Sequence, residues 1–251
     1  MKKTILSAVM LIAATTSFAQ VDLQLHYDFG RMMNRSAEPE RPQVTTTVEM
    51  FKPDKLGSTF FFVDFDYYSN GVAGAYWEIS REFTALELDN HNSLAAHVEY
   101  NGGLSINKSL FPARFQPAAL LGGAWNWHNT NFSSTFSFQV MYKQFFRQTM
   151  KGVETPAVSG FQTTAVWSTT FADGKVTFDG FADLWYGHTT SFDDKGVQKK
   201  GLVFLTEPQI WYNATSQLSI GSEVELSNNF VYGANDTKFF VNPTLAVKWK
   251  F

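Results

Sequence analysis

The sequence predicts an all-β protein: a single antiparallel transmembrane β-barrel of about twelve strands. Three observations point to it. Apolar and polar residues alternate with a period of two along most of the chain. The segments that alternate are joined by connections that are short and long by turns. After the first nineteen residues, no apolar run approaches the roughly 18–20 residues that a membrane helix needs.

Residues 1–19 read as a cleaved bacterial secretory signal. "MKK" is a basic start, "ILSAVMLIAATT" an apolar stretch, and "SFA" before Gln20 a small-residue cleavage site. The barrel is then expected over 20–251. The chain has no cysteine, which rules out a lipid anchor on cysteine and a disulfide framework. Its formal net charge of −3 becomes more negative once Lys2 and Lys3 leave. An acidic chain without a basic stripe gives nucleic-acid binding no support. A secreted, aromatic-rich, cysteine-free chain of this kind is either a soluble periplasmic β protein or an outer-membrane barrel.

The strands follow in order. "VDLQLHYDF" sets Val21, Leu23, Leu25, Tyr27 and Phe29 against Asp22, Gln24, His26 and Asp28. The last segment sets Phe239, Val241, Pro243, Leu245, Val247, Trp249 and Phe251 against Asn242, Thr244, Ala246, Lys248 and Lys250. Ten more candidates lie between them, at roughly 43–52, 58–69, 75–87, 94–103, 117–127, 133–145, 160–170, 176–187, 202–213 and 217–229. An even number is expected of a single-chain bacterial barrel with both ends on one side.

"PDKLG", "ADGK" and "NATS" are tight turns after even strands. "GRMMNRSAEPERP", "LSINKSLFPARF", "FRQTMKGVETPAVS" and "HTTSFDDKGVQKK" are long polar loops after odd ones. Short turns on one side and long loops on the other is the habit of outer-membrane barrels. The apolar faces carry Trp77, Trp125, Trp127, Trp167, Tyr186, Tyr212, Trp249 and Phe251 near strand ends, where ring and polar tip suit the bilayer interface.

The chain also echoes itself. "FVDFDY" (62–67) parallels "FADLWY" (181–186), "VEYNGG" (98–103) parallels "VELSNN" (224–229), and "FQPAALLGGAWNW" (115–127) parallels "FVNPTLAVKWKF" (240–251). We read two six-strand halves related by duplication. Neither half would stand alone, because each leaves two unpaired edges.

With polar parity inward, the lumen receives Asp22, Asp28, Glu49, Asp64, Asp66, Glu78, Glu82, Glu99, Asp179, Asp183, Glu207, Glu223 and Glu225. Against them stand Lys143, Lys248 and Lys250, with His26 and His97 on the same face. Such a lumen is hostile to anions unless loop arginines fold inward. The same parity collects Phe60, Phe62, Tyr68, Tyr76, Phe181, Trp185 and Trp211. In "FFFVDFDYY" (60–68), Phe61, Val63, Phe65 and Tyr67 then face lipid while Phe62, Asp64, Asp66 and Tyr68 face the lumen. Rings beside carboxylates suit a heterocycle joined to a sugar: the rings stack and the carboxylates accept from hydroxyls. The alternative for each acid is a structural bond that stiffens the wall.

"FVDFDYY" with "YWEIS" (76–80) and "FADLWY" resembles the repeated motifs of the nucleoside-specific channel-forming (Tsx-like) outer-membrane proteins. The pattern is closer to a sister group of functionally uncharacterised Gram-negative outer-membrane proteins. The resemblance implies a monomeric twelve-strand barrel passing nucleosides through a narrow, aromatic-lined, charged pore. No cofactor or metal is expected: no metal-ligand spacing is legible, and "HVE" (97–99) puts only two ligands, His97 and Glu99, on one face. The partners expected are outer-membrane lipid and a small polar solute. The solute-binding candidates are Phe62, Asp64, Asp66, Tyr68, Glu78, Glu99, Asp183, Trp185, Glu207, Trp211 and Glu223. Two other classes stay open. A lipid-acting barrel hydrolase would draw on His26, His91, His97, His128 or His188, although no nucleophile motif is legible. A structural or surface barrel would transport nothing.

Overall fold

The computed structural model describes residues 19–35, 41–69, 71–105, 116–150, 153–194, 197–231 and 239–251. The expected leader, apart from Ala19, lies outside them. The described chain is almost wholly strand. The strands are β1 (Gln20–Asp28), β2 (Val44–Asp54), β3 (Gly57–Tyr68), β4 (Gly71–Glu87) and β5 (Asn92–Ser105). Then come β6 (Ala118–His128), β7 (Ser134–Phe145), a small hairpin of β8 (Gln148–Met150) and β9 (Val153–Thr155), β10 (Val158–Phe171) and β11 (Val176–Phe192). The remainder are β12 (Gln198–Thr206), β13 (Gln209–Asn213), β14 (Leu218–Asn228) and β15 (Phe239–Lys250). One turn of helix, α1 (Gly30–Met33), follows β1.

Each strand pairs antiparallel with its neighbours, and β15 pairs with β1 from Asp22↔Lys250 to Asp28↔Thr244. β12 and β13 are two halves of one stave. Both lie on β11, and both lie on β14. The result is a closed barrel of twelve staves, with β8 and β9 outside it. Closure follows from the sequence: strands whose two faces differ in polarity leave no edge unpaired only if the sheet meets itself.

The polarity of the wall is the reverse of a water-soluble protein. Along β1, Asp22, Gln24, His26 and Asp28 are buried while Leu23, Leu25 and Tyr27 are exposed. β15 repeats this, with Asn242, Thr244 and Lys248 buried and Val241, Leu245, Val247 and Trp249 exposed. Leu121, Val140 and Ile210 continue the exposed apolar band around the barrel. Hydrocarbon, not water, solvates such a surface. Tyr27, Tyr67, Tyr100, Tyr142 and Tyr186 stand toward the long-loop end, and Trp125, Trp127, Trp167, Tyr212 and Trp249 toward the short-turn end. Their polar tips find partners: Tyr142 Oη donates to Gln144 Oε1 at 2.8 Å, and Trp125 Nε1 to Asn92 Oδ1 at 3.2 Å.

Four sequence expectations change. The segment expected as a loop at 188–200 is mostly hairpin, because β11 runs to Phe192 and β12 begins at Gln198. The stave expected at 202–213 is broken at Glu207–Pro208, where proline has no N–H for the ladder. The loop after β7 holds the β8–β9 hairpin. The long-loop rule fails twice: β4 begins at Gly71 soon after β3 ends at Tyr68, and only residues 193–197 separate β11 from β12.

The short turns are locally determined. Asp89 accepts from the backbone N–H of His91 (2.7 Å) and Asn92 (2.8 Å) and from Asn92 Nδ2. These donors, the His91 N–H first, hold its carboxyl below the ordinary aspartate value. A lowered folded-state value contributes stability above the unfolded value, lost as the pH falls through the folded one. Carboxyl NMR should therefore find Asp89 titrating below an unstructured aspartate; an equal or higher value would contradict the turn geometry. On the outer wall, Val140→Arg places a charge in mid-barrel and should cost about 2–4 kcal/mol in lipid vesicles. Urea unfolding measures it, and an unchanged midpoint would mean that Val140 does not face lipid.

Candidate functional site

The inward parity of β2 to β5 brings carboxylates and rings together by simple register. Glu49 lies opposite Phe62, Phe62 opposite Glu78, and Glu78 opposite Asn101. One step along, Thr47 lies opposite Asp64, and Asp64 opposite Tyr76. The ring of Phe62 meets Tyr76 at 6.0 Å and Phe60 at 5.9 Å. Tyr76 Oη donates to Glu78 Oε1 at 2.6 Å, and Asn101 Nδ2 donates to the same oxygen at 3.0 Å. Tyr68 packs with Tyr76 on buried Ala73.

Some of these carboxylates are tied into the wall. Thr47 Oγ1 donates to Asp64 Oδ1 at 2.5 Å, and Thr45 Oγ1 to Asp66 Oδ1 at 2.8 Å. On the facing side Thr164 Oγ1 donates to Asp183 Oδ1 at 2.5 Å. The same strand-to-strand threonine–aspartate bond thus occurs in both stretches that share the "F-x-D" pattern.

β11 to β14 complete the facing wall. Asp183 and Trp185 project from β11 opposite Leu205 and Val203. Glu207 sits in the break between β12 and β13, its N–H on the Phe181 carbonyl at 3.1 Å. Gln209 links two neighbours: it accepts from Trp211 Nε1 at 2.9 Å and donates to Glu223 Oε2 at 2.6 Å. Across the lumen, Asp64 is an electrostatic neighbour of Glu207 and Glu223, and Glu78 of Glu99, Asp183 and Lys143.

The structure thus brings the sequence candidates onto facing walls. Phe62, Asp64, Asp66, Tyr68, Glu78, Glu99, Asp183, Trp185, Glu207 and Glu223 are half-buried. Trp211 differs. It is 1% exposed, because Lys248 Nζ lies 4.2 Å over its ring and His26 meets it edge-on at 6.0 Å. Gly221 makes this possible: a Cβ there would fall 2.6 Å from the Trp211 ring. Trp211 therefore offers no open face to a solute. Lys143 behaves alike, with Nζ 4.9 Å from both the Phe145 and Trp185 rings and 2.6 Å from Gln162 Oε1.

One arrangement was hidden in the sequence, and a second was only partly legible, with His97 and Glu99 on one face of the strand. Arg41, expected only as a loop charge, folds into the long-loop mouth. Its guanidinium donates to Asp28 Oδ2 at 2.8 Å and to Glu225 Oε2 at 2.9 Å, joining β1 to β14 across β15. No periodicity marks a contact that spans 184 residues. The second is a trio on β4 and β5. His97 Nδ1 lies 3.2 Å from Glu82 Oε1, and Nε2 lies 3.1 Å from Glu99 Oε2. Asn126 and Gln139 donate further to Glu82, at 2.7 and 3.2 Å. Both ring nitrogens of His26 are also engaged, with Thr244 Oγ1 and Gln24 Oε1.

Removing Arg41 tests the mouth. The side chains of Arg41, Asp28 and Glu225 are 11%, 9% and 7% exposed, so Arg41→Met takes the bridging cation from two buried carboxylates. Breaking such a set from one side costs about 3–5 kcal/mol. Urea unfolding in vesicles should show that loss, and Asp28→Asn with Glu225→Gln should restore part of it. Full stability in the single variant would contradict the latch.

Among solved structures, the chain is similar to the NanC porin, at 12% identity and a TM-score of 0.57, over 92% of this chain and 100% of that one. It is similar to the KdgM porin at 10% identity and a TM-score of 0.50, over 92% and 99%. LpxR from Salmonella typhimurium matches over 92% and 100% at 9% identity, but its TM-score of 0.41 is too low to argue from. At such identities the likeness speaks for the barrel fold. A search of curated proteins returns no match. The model of a domain of unknown function, DUF5020, matches residues 19–251, and the chain belongs to that family.

Proposed function

We propose that the protein is an outer-membrane channel for passive diffusion of small polar solutes, neutral or cationic, with nucleosides as the candidate class. One observation carries this reading: the closed barrel turns its apolar face outward and sets half-buried carboxylates and rings on two facing inner walls. The porin fold of the neighbours supports a channel. The nucleosides rest on chemistry and on the "FVDFDYY" and "FADLWY" motifs. Phe62 and Tyr76 present ring surface beside Asp64 and Glu78, and a base stacked on a ring gains about 1–3 kcal/mol. Ribose hydroxyls would donate to the carboxylates.

The reading is of a monomeric barrel in the outer membrane and not of an enzyme. Support comes from the histidines of the lumen, whose ring nitrogens are already engaged by Thr244 and Gln24 or by Glu82 and Glu99. Neither is placed to serve a nucleophile.

Acids dominate the inner wall, and a low-dielectric wall with one sign of charge concentrates counter-ions. In planar bilayers with a potassium chloride gradient, the reversal potential should therefore report cation selectivity. Glu78→Gln, Asp183→Asn and Glu223→Gln together should move it toward zero. Anion selectivity would contradict the acidic inner wall, and no conductance at all would overturn the channel reading. Proteoliposomes should take up nucleosides faster than anionic sugars of similar size, and equal rates would sink the nucleoside part alone.

A further inference from the structure

We infer that the inner wall of β4, β5, β7 and β11 holds a binding position for a small primary amine. The inference deepens the channel reading, since the position lies in the same lumen. Its floor is the Glu82–His97–Glu99 trio, and Glu78 and Asp183 face it as electrostatic neighbours of Glu99 and Lys143. Four carboxylates there meet one lysine and one histidine.

A second, independent observation gives that charge a ligand. The Glu99 side chain is 8% exposed and Asn101 is 2% exposed, yet Glu99 Oε1 and Asn101 Oδ1 have no hydrogen-bond partner among the described residues. Their other polar atoms are engaged: Glu99 Oε2 with His97, and Asn101 Nδ2 with Glu78 and Tyr76. Glu99 and Asn101 stand two residues apart on one face of β5, opposite Ser80 and Glu78 of β4. The two atoms left without a partner are therefore both acceptors. A buried acceptor without a donor is costly, and a ligand that brings N–H groups and positive charge together relieves both deficits.

The wall already holds one such group. Lys143 carries its ammonium between two aromatic rings, with Gln162 as acceptor and Glu78, Glu99 and Asp183 around it. The same lining that accommodates the Lys143 ammonium would accommodate a second from solution. Charge and N–H donors are both required. A neutral diol brings donors without charge, and a quaternary ammonium brings charge without donors.

The probe is 1,4-diaminobutane, whose two ammonium groups match a carboxylate excess of two. Equilibrium dialysis of the full-length barrel refolded in detergent should show saturable binding. Butane-1,4-diol should not bind, and tetramethylammonium should bind at least fivefold more weakly. Glu99→Gln with Asp183→Asn should weaken the diamine at least tenfold, while Leu121→Val on the outer wall should change nothing. Lys143→Gln removes a competing ammonium and should tighten binding about threefold. A gel shift between boiled and unboiled samples verifies that each variant folds. No saturable diamine binding, equal binding of the diol, unchanged binding in the double variant, or weaker binding in Lys143→Gln would each overturn the inference. Dialysis needs no current, so a barrel that binds without conducting refutes the channel reading alone. One that conducts without binding refutes only the amine position.

Discussion

The pairing of β1 with β15 is the interaction on which the rest of the structure depends. Seven residue pairs run from Asp22↔Lys250 to Asp28↔Thr244, and Phe251 adds its N–H to the Val21 carbonyl at 3.0 Å. Without that seam, two strands would present rows of unpaired N–H and C=O groups to hydrocarbon, each costing several kcal/mol. The seam also decides what the interior is. Once the sheet is closed, the polar face of every strand is shared space, and its charges must find one another.

The inner wall solves that problem unevenly. At the mouth, Arg41 bridges Asp28 and Glu225 and offsets one of their two charges, and Asn242 donates to Glu225 at 3.0 Å. Near the other end, Lys248 stands 3.8 Å from Asp179 and over the ring of Trp211. Between them the carboxylates of Glu78, Asp183, Glu207 and Glu223 outnumber the cations in reach. Wall-stiffening bonds account for Asp64, Asp66 and Asp183 in part, through Thr47, Thr45 and Thr164. They do not remove the excess of charge. Structural and solute-binding roles are therefore compatible in the same residues: a threonine fixes one carboxylate oxygen while the wall leaves the lumen acidic.

Much of the fold was legible in the sequence because a strand with lipid on one side and water on the other must alternate. "FFFVDFDYY" shows it, with Thr47 and Thr45 bonded to Asp64 and Asp66 on one face and Thr46 to Tyr67 on the other. The same parity placed Glu78, Glu99, Asp183 and Glu223 on the inner wall. Legibility ended where the physics of the two faces became equal. β11 beyond Gly187 and β12 before Gly201 carry "HTTSF" and "QKK", polar on both faces, and read as loop. The break at Glu207–Pro208 leaves its neighbours strand-like on either side. α1 is too short for a helical period. The contacts of Arg41 and the shielding of Trp211 by Lys248 depend on distant strands meeting around the barrel, which no local pattern records.

The most direct test of the inside-out wall uses β3 and the absence of cysteine from the chain. Single cysteines introduced from Phe61 to Tyr68 in vesicles can be probed with a small cationic, membrane-impermeant thiol reagent. Phe62→Cys, Asp64→Cys, Asp66→Cys and Tyr68→Cys should react, while Phe61→Cys, Val63→Cys, Phe65→Cys and Tyr67→Cys should be protected by lipid. Reaction without alternation, or with the opposite alternation, would contradict the account.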